Sequence, residues 1–140
     1  MIYVDSGILL KLYLTEPDSE LWRDRLDGRA DVVSSTLSLL EFKSGLRQKM
    51  QNGLIRRKAV SRNWRDFRQS VHTGILRLVP LGTDVIEEAT QLLDQLPAKI
   101  LLRSLDACHL ASARFYECDE VATSDERMSS AATELGIALM

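Results

Sequence analysis

Short apolar runs along this chain alternate with longer stretches in which apolar residues recur every three or four positions. The short runs are rich in β-branched and aromatic residues and predict strands at 2–4, 31–35, 76–81 and 120–123. The longer stretches have the periodicity of amphipathic helices. Strands that alternate with helices form a parallel sheet with helices on both faces. We therefore predict an α/β domain with a central parallel sheet of four to five strands, the fifth being a short segment at 137–140.

The same periodicity predicts helices at 8–14, 19–26, about 37–52, 55–71, 85–93, 105–116 and 125–135. Asp5 or Ser6 can cap the first of them, and hydroxyl residues are predicted N-caps of four others: Thr36 or Ser38, Thr83, Ser104 and Thr123. The third and fourth helices form a protruding helical hairpin at about 36–73, inserted in a single domain that spans 1–140. Trp64 and Phe67 have the spacing of core residues in that hairpin.

The net charge of −2 hides an uneven distribution of charged residues. Residues 43–77 hold ten of the 18 basic residues and one of the 20 acidic ones, Asp66. A basic segment on an acidic body suits an enzyme that binds nucleic acid around a metal centre. A solvated helical face that is rich in arginine explains the same composition. The sequence leaves both explanations open.

The apolar segments indicate neither a membrane helix nor a secretion signal. None approaches the ~20 apolar residues that span a membrane, and Asp5 interrupts the first apolar run where a signal peptide would continue it. On a single helix, Cys108 and Cys118 would be separated by ~15 Å of rise, which is beyond disulfide range. We therefore expect free thiols and a location in the cytoplasm.

Four carboxylates fall at element boundaries or at inward positions of helices: Asp5, Glu41, Asp106 and Asp125. Each has a structural explanation, such as a helix cap, a favourable helix dipole or a capping box that begins at Thr123. Asp5 and Asp125 both follow parallel strands, so they meet at one edge of the sheet if those strands are neighbours. Gathered carboxylates repel one another unless a cation lies among them. Because Mg²⁺ prefers carboxylate oxygens, the set predicts a metal site that activates water and binds phosphate.

Three segments and one isolated acid resemble the PIN-domain ribonucleases, most closely the VapC-type toxins of bacterial toxin–antitoxin pairs. They are Val4-Asp5-Ser6, Glu41, the run Arg103-Ser104-Leu105-Asp106-Ala107-Cys108-His109-Leu110-Ala111, and Thr123-Ser124-Asp125. The resemblance extends from residue 2 to residue 136. It implies a three-layer α/β/α fold in which the first and fourth strands are adjacent, so that the four acids come together.

The chemistry implied by the resemblance is metal-assisted hydrolysis of RNA phosphodiester bonds. Asp5, Glu41, Asp106 and Asp125 would bind one or two Mg²⁺ or Mn²⁺ ions. Ser6 and Thr123 would orient these acids or water. The resemblance also implies a homodimer and a cognate antitoxin that covers the acidic site. The helical hairpin would contact antitoxin or RNA through four basic residues, Arg47, Lys49, Arg56 and Arg57.

Other enzyme classes fit the sequence less well. A haloacid-dehalogenase phosphatase needs a second Asp two residues after the first, where this chain has Gly7. A metal-independent ribonuclease needs catalytic histidines, whereas we expect His109 to lie on a helix face and His72 to be solvated. No spacing of Cys and His indicates zinc. The alternative from another class is a catalytically silent module that binds RNA or a partner protein through its basic helical hairpin.

Overall fold

The computed structural model describes residues 1–140 and contains a four-stranded parallel sheet. Its strands are β1 (Ile2–Val4), β2 (Val32–Ser35), β3 (Arg77–Val79) and β4 (Glu120–Ala122), in the order β3-β2-β1-β4. Ile2 of β1 pairs with Val32 on one side and with Glu120 on the other. The adjacency of the first and fourth strands is therefore confirmed. At the edge of the sheet, Leu139 forms an isolated parallel bridge with Val121 where a fifth short strand was predicted.

Seven helices surround the sheet: α1 (Ser6–Tyr13), α2 (Ser19–Leu26), α3 (Leu37–Gln51), α4 (Arg57–His72), α5 (Thr83–Gln95), α6 (Ser104–Phe115) and α7 (Glu126–Glu134). All lie within two residues of the predicted bounds. No helix combines the length and the apolar character that a membrane span requires. Cys108 and Cys118 are free thiols as expected, but α6 ends before Cys118, so they do not share a helix.

The strands β1, β2 and β4 contribute side chains to two hydrophobic cores, because successive residues of a strand point to opposite faces of the sheet. Tyr3, Val33 and Val121 belong to the core that α5, α6 and α7 cover. Ile2 and Val4 belong to the core that the first four helices cover. Both faces of the sheet are buried, which is typical of parallel sheets. The predicted three-layer α/β/α architecture is confirmed.

The helical hairpin of α3 and α4 docks on α1 through aromatic side chains. Phe42 and Phe67 are fully buried and stack with their ring centroids 4.2 Å apart. Tyr13 of α1 meets both rings edge-on, at 5.3 and 5.8 Å. Trp64 is half-buried and lies 6.4 Å from the ring of Phe42. The core positions predicted for Trp64 and Phe67 are thus confirmed.

Several predicted hydroxyl caps are wrong, because other groups occupy the cap or bind the hydroxyl. Thr36 occupies the N-cap position of α3 without a capping bond, and its hydroxyl instead accepts from the Leu81 N–H at 3.0 Å. Gly82 precedes α5, so Thr83 is the first helical residue rather than the cap. Ser104 is likewise the first residue of α6. Of these hydroxyls, that of Thr36 forms a long-range contact instead of a helix cap.

Candidate functional site

Asp5 ends β1 and caps α1, and its side chain is buried. The residue is 6% exposed, and Oδ1 accepts a hydrogen bond from the Ile8 N–H at 2.7 Å. Oδ2 accepts a hydrogen bond from the Thr123 hydroxyl. Burial raises the pKa of Asp5 above its ordinary value, and the negative charge of Glu41 adds to this effect. The two hydrogen bonds and the positive charge of His109 act on the pKa in the opposite direction.

Thr123 connects Asp5 with Asp125, because β1 and β4 are neighbours. Val4 pairs with Ala122, so Asp5 and Thr123 leave the sheet side by side. The Thr123 hydroxyl donates to Asp5 and accepts from the Asp125 N–H at 3.0 Å. The side chain of Asp125 accepts from two backbone N–H groups in the first turn of α7, at 2.8 and 3.0 Å. The predicted capping box that begins at Thr123 is therefore wrong, since Asp125 is the cap.

Glu41 lies in α3 with its side chain 21% exposed. Its Oε2 accepts hydrogen bonds from His109 Nε2 at 2.6 Å and from the Ser6 hydroxyl. Burial opposes the ionisation of Glu41, but the hydrogen bond and charge of His109, together with Ser6, hold its pKa below the ordinary value. Oε1 has no hydrogen-bond partner within the protein. One oxygen of this ionised carboxylate is therefore available to a cation or to water.

Asp106 lies in the first turn of α6 and is half-buried. Burial raises the pKa of Asp106, and the negative charge of Asp125 raises it further. The charge of His109 and a backbone hydrogen bond lower it by less. Asp106 and Asp125 therefore repel each other across the N-terminal ends of α6 and α7, as like charges in one site do.

Buried serines lie directly below the acids. Ser34 Oγ donates to the Val4 carbonyl at 2.7 Å, so the hydrogen between Ser34 and Ser38, 2.6 Å apart, belongs to Ser38. Ser6 donates to Glu41 and lies 3.3 Å from Ser38. The prediction that Ser38 caps α3 is wrong, because its hydroxyl is engaged with β2. The Ser6 hydroxyl lies against Glu41, one of the four acids.

His109 is a component of the site that the sequence predicts only as a residue on a helix face. His109 does lie on α6 as predicted, but it is 2% exposed and residues 107–113 are all buried, which the prediction did not include. Its Nδ1 lies 2.7 Å from the Tyr3 hydroxyl, and its Nε2 contacts Glu41. The feature of the sequence that could have indicated this burial is the continuous apolar composition around His109. A histidine in a fully buried helix needs hydrogen-bond partners. The partners themselves are remote in sequence.

Taken together, the four acids occupy the carboxyl edge of the sheet. No Lys or Arg forms an ion pair with Asp5, Asp106 or Asp125. No three acidic, histidine or cysteine side chains converge tightly enough to enclose a metal ion by themselves. Mg²⁺ typically uses one or two protein carboxylates and completes its shell with water and substrate phosphate. The donor set therefore fits a hard divalent cation in its chemistry.

Two of the four basic residues that were predicted to contact antitoxin or RNA, Arg56 and Arg57, lie away from these acids. Arg47, Arg56 and Arg57 are exposed. Lys49 is half-buried and forms an ion pair with Glu16, which neutralises its charge. Ten residues of α3, about 15 Å of helix, separate the acidic site from the end of that helix. Arg56 and Arg57 follow that end, so they lie at the tip of the hairpin.

Comparisons with known proteins agree with this fold. The chain matches the PIN domain over residues 2–134. Ribonuclease VapC46 of Mycobacterium tuberculosis is 35% identical over 99% of this chain and 95% of its own length. The crystal structure of M. tuberculosis VapC20, described as a sarcin–ricin loop cleaving toxin, has a TM-score of 0.72 at 18% identity and covers 94% of this chain and 95% of that one. A toxin–antitoxin complex from Klebsiella pneumoniae has a TM-score of 0.63 at 15% identity, covering 89% and 87%.

The family match covers almost the whole chain, and the fold places its acids at the carboxyl edge of a parallel sheet. The chain therefore belongs to the PIN-domain family. Within that family it is a VapC-type member, because a curated relative of that type matches it from end to end. The two solved structures, both below 25% identity, establish the fold alone.

Proposed function

We propose that this chain is a metal-dependent endoribonuclease and the toxin of a toxin–antitoxin pair. The observation that carries the proposal is the buried carboxylate of Asp5, which has hydrogen bonds but no Lys or Arg partner. Burial and neighbouring acids raise the pKa of Asp5 and of Asp106. A bound divalent cation would stabilise the ionised forms of both. The ribonuclease names of the relatives support the choice of substrate.

The four acids would hold Mg²⁺, with Mn²⁺ as a second candidate. Such an ion, when bound, neutralises charge on a phosphodiester and lowers the pKa of a bound water. The Ile8 N–H and the Thr123 hydroxyl fix the two oxygens of Asp5. Ser6 fixes one oxygen of Glu41. Because these donors are in place before substrate binds, the carboxylates need little reorganisation during the reaction.

A protein antitoxin is the proposed partner, and a homodimer is the proposed oligomeric state. The structural neighbour described as a toxin–antitoxin complex supports the first proposal, and the second follows from the family resemblance alone. The exposed residues Arg47, Arg56 and Arg57 offer a positive surface to RNA phosphates or to an acidic partner. Lys49 offers less, because Glu16 neutralises it. The cytoplasmic location stays a prediction.

The alternative is a catalytically silent PIN-like module that binds RNA or a partner protein through the helical hairpin. It is favoured by the position of Arg56 and Arg57, exposed at the tip of the hairpin and away from the acids. Titration with Mn²⁺ separates the two functions, since only the enzyme has a metal site that depends on Asp5. An Arg56→Ala/Arg57→Ala double variant with unchanged RNA cleavage and unchanged salt dependence would exclude RNA contact by the hairpin tip.

A comparison of RNA cleavage by wild type and by Asp5→Asn tests the proposed function. Both proteins are first freed of any co-purifying partner, and cleavage is measured in Mg²⁺, in Mn²⁺ and in EDTA. Asparagine keeps the acceptor for the Ile8 N–H and removes the charge that would hold the cation. We expect cleavage to be lost in the variant and on chelation. Asp84→Asn, which changes an exposed acid in the first turn of α5, is the matched control and should cleave like wild type. Cleavage that survives in Asp5→Asn or in EDTA overturns the proposal.

A further inference from the structure

Beneath the acidic site, three side chains form a hydrogen-bonded series from the sheet to the surface: Tyr3, His109 and Glu41. Tyr3 and His109 are 0% and 2% exposed. The Tyr3 hydroxyl lies 2.7 Å from His109 Nδ1, and His109 Nε2 lies 2.6 Å from Oε2 of Glu41. The two rings meet nearly edge to face, at 65° with centroids 5.7 Å apart. Both ring nitrogens are therefore engaged, and the imidazole has a fixed orientation.

The hydrogen bond to Glu41 has the same direction in either charge state of His109. An ionised carboxylate only accepts, so Nε2 carries the hydrogen. In the neutral imidazole, Nδ1 accepts from the Tyr3 hydroxyl, which fixes the tautomer with hydrogen on Nε2. In the imidazolium, Nδ1–H donates to the Tyr3 oxygen and Nε2–H still donates to Glu41. The contact with Tyr3 therefore keeps a donor directed at Glu41.

The N–H group at Nε2 of His109 binds one of the two carboxylate oxygens of Glu41 and leaves the other without a partner. Oε2 accepts both from His109 and from Ser6, whereas Oε1 has no hydrogen-bond partner within the protein. A glutamate on a helix has several accessible rotamers. Two donors on one oxygen restrict these rotamers and leave the other oxygen as the free ligand.

We propose that His109, held in place by Tyr3, is a positioning residue that orients Glu41 for binding a divalent cation. The inference rests on the proposed function, because it concerns how Glu41 serves the metal site. It differs from a role in acid–base chemistry. The imidazole is buried and both of its nitrogens are occupied, so it does not reach the RNA. Groups that hydrogen-bond a metal ligand in this way commonly contribute 10-fold to 100-fold in metal affinity.

The test measures Mn²⁺ affinity of the full chain by electron paramagnetic resonance, with thermal unfolding as the check on folding. His109→Leu removes the donor and should weaken Mn²⁺ binding by about 10-fold to 100-fold. His109→Gln keeps an N–H at similar reach and should recover part of the loss. Tyr3→Phe keeps the aromatic ring and removes the partner of His109 Nδ1. The Mn²⁺ affinity of this variant should therefore lie between those of wild type and His109→Leu. Tyr116→Phe, which deletes a hydroxyl bonded to a backbone carbonyl at 2.9 Å, is the matched control and should bind like wild type.

A double-mutant cycle distinguishes positioning from general structural damage. If His109 acts through Glu41, His109→Leu should weaken Mn²⁺ binding no further in a Glu41→Gln background. The inference is overturned if His109→Leu weakens Mn²⁺ binding equally in the wild-type and the Glu41→Gln backgrounds. It is also overturned if His109→Leu and Tyr3→Phe both bind Mn²⁺ with wild-type affinity. Failure of the proposed function would be visible in the parent protein, which would then lack any Mn²⁺ site abolished by Asp5→Asn.

Discussion

Replacing Thr123 with valine removes a hydroxyl from the site and leaves the shape of the side chain almost unchanged. Thr123 is 9% exposed, donates to the carboxylate of Asp5 and accepts from the Asp125 N–H. A hydrogen bond to a charged group contributes about 1.5–3 kcal/mol and one between neutral groups about 0.5–1.5 kcal/mol. The extra methyl group returns about 0.8 kcal/mol through burial. We expect Thr123→Val to lower the free energy of unfolding by about 1–4 kcal/mol.

Urea denaturation in EDTA measures this loss, and an unchanged m-value shows that the variant unfolds in the same way. Thr123→Ser is the matched control, since it keeps both hydrogen bonds and loses one methyl group, at a cost of about 1 kcal/mol. The same Thr123→Val variant should bind Mn²⁺ more weakly, because Asp5 and Asp125 lose their link. If Thr123→Val is as stable as wild type while Thr123→Ser is not, packing rather than hydrogen bonding holds this edge of the sheet.

Two further predictions test the charges and the helical hairpin. Burial and the charge of Asp125 raise the pKa of Asp106, so the metal-free protein loses stability as the pH rises from the unfolded pKa through the folded pKa. At neutral pH, Asp106→Asn should therefore have a free energy of unfolding higher than wild type by on the order of 0.5 kcal/mol, since the group is half-exposed. Below about pH 3 the two proteins should be equally stable. A stability difference that does not change with pH would contradict the effect of the Asp106 charge. Phe67→Ala, which deletes a ring stacked on Phe42, should cost about 3–5 kcal/mol in urea, whereas the exposed control Leu54→Ala should change stability by less than about 0.5 kcal/mol. A small loss in Phe67→Ala would mean that the hairpin docks by other contacts.

Element positions could be predicted from the sequence where strong local signals bound them. Pro17-Asp18 and Asp27-Gly28 enclose α2, and its predicted and observed bounds are the same, 19–26. Gly28 has a φ of +69°, a left-handed conformation that residues with a β-carbon disfavour. Asp5 stops β1 and caps α1 because its carboxylate can accept from the backbone three residues later. These turn and cap residues act on neighbours within a few positions of the chain, so their effects can be predicted from the local sequence.

The partners of hydroxyl groups could not be predicted in this way. Thr36 bonds to Leu81, 45 residues away, and Thr123 bonds to Asp5, 118 residues away. A hydroxyl can cap a helix or bond to any group that the fold brings near it, and the tertiary partner is known only once the strand order is fixed. The same reason explains His109, whose partners are 68 and 106 residues away in the chain. Local periodicity identifies such residues as helical without indicating what they contact.

The buried polar residues are concentrated at the candidate site, and this concentration bears on function. Six of the ten buried polar residues belong to the hydrogen-bonded network around the acids: Asp5, Ser6, Ser34, Ser38, His109 and Thr123. Every buried polar side-chain atom has a partner, so the network is satisfied, yet the acids it supports repel one another without a cation. Departures from local rules that cluster in one place are expected at functional sites. In the metal-free protein, the two variants should therefore change the free energy of unfolding in opposite directions. Asp106→Asn, which neutralises an acid, should raise it, whereas Thr123→Val, which removes a hydroxyl from the network, should lower it. A cluster that served stability alone would lose stability in both variants.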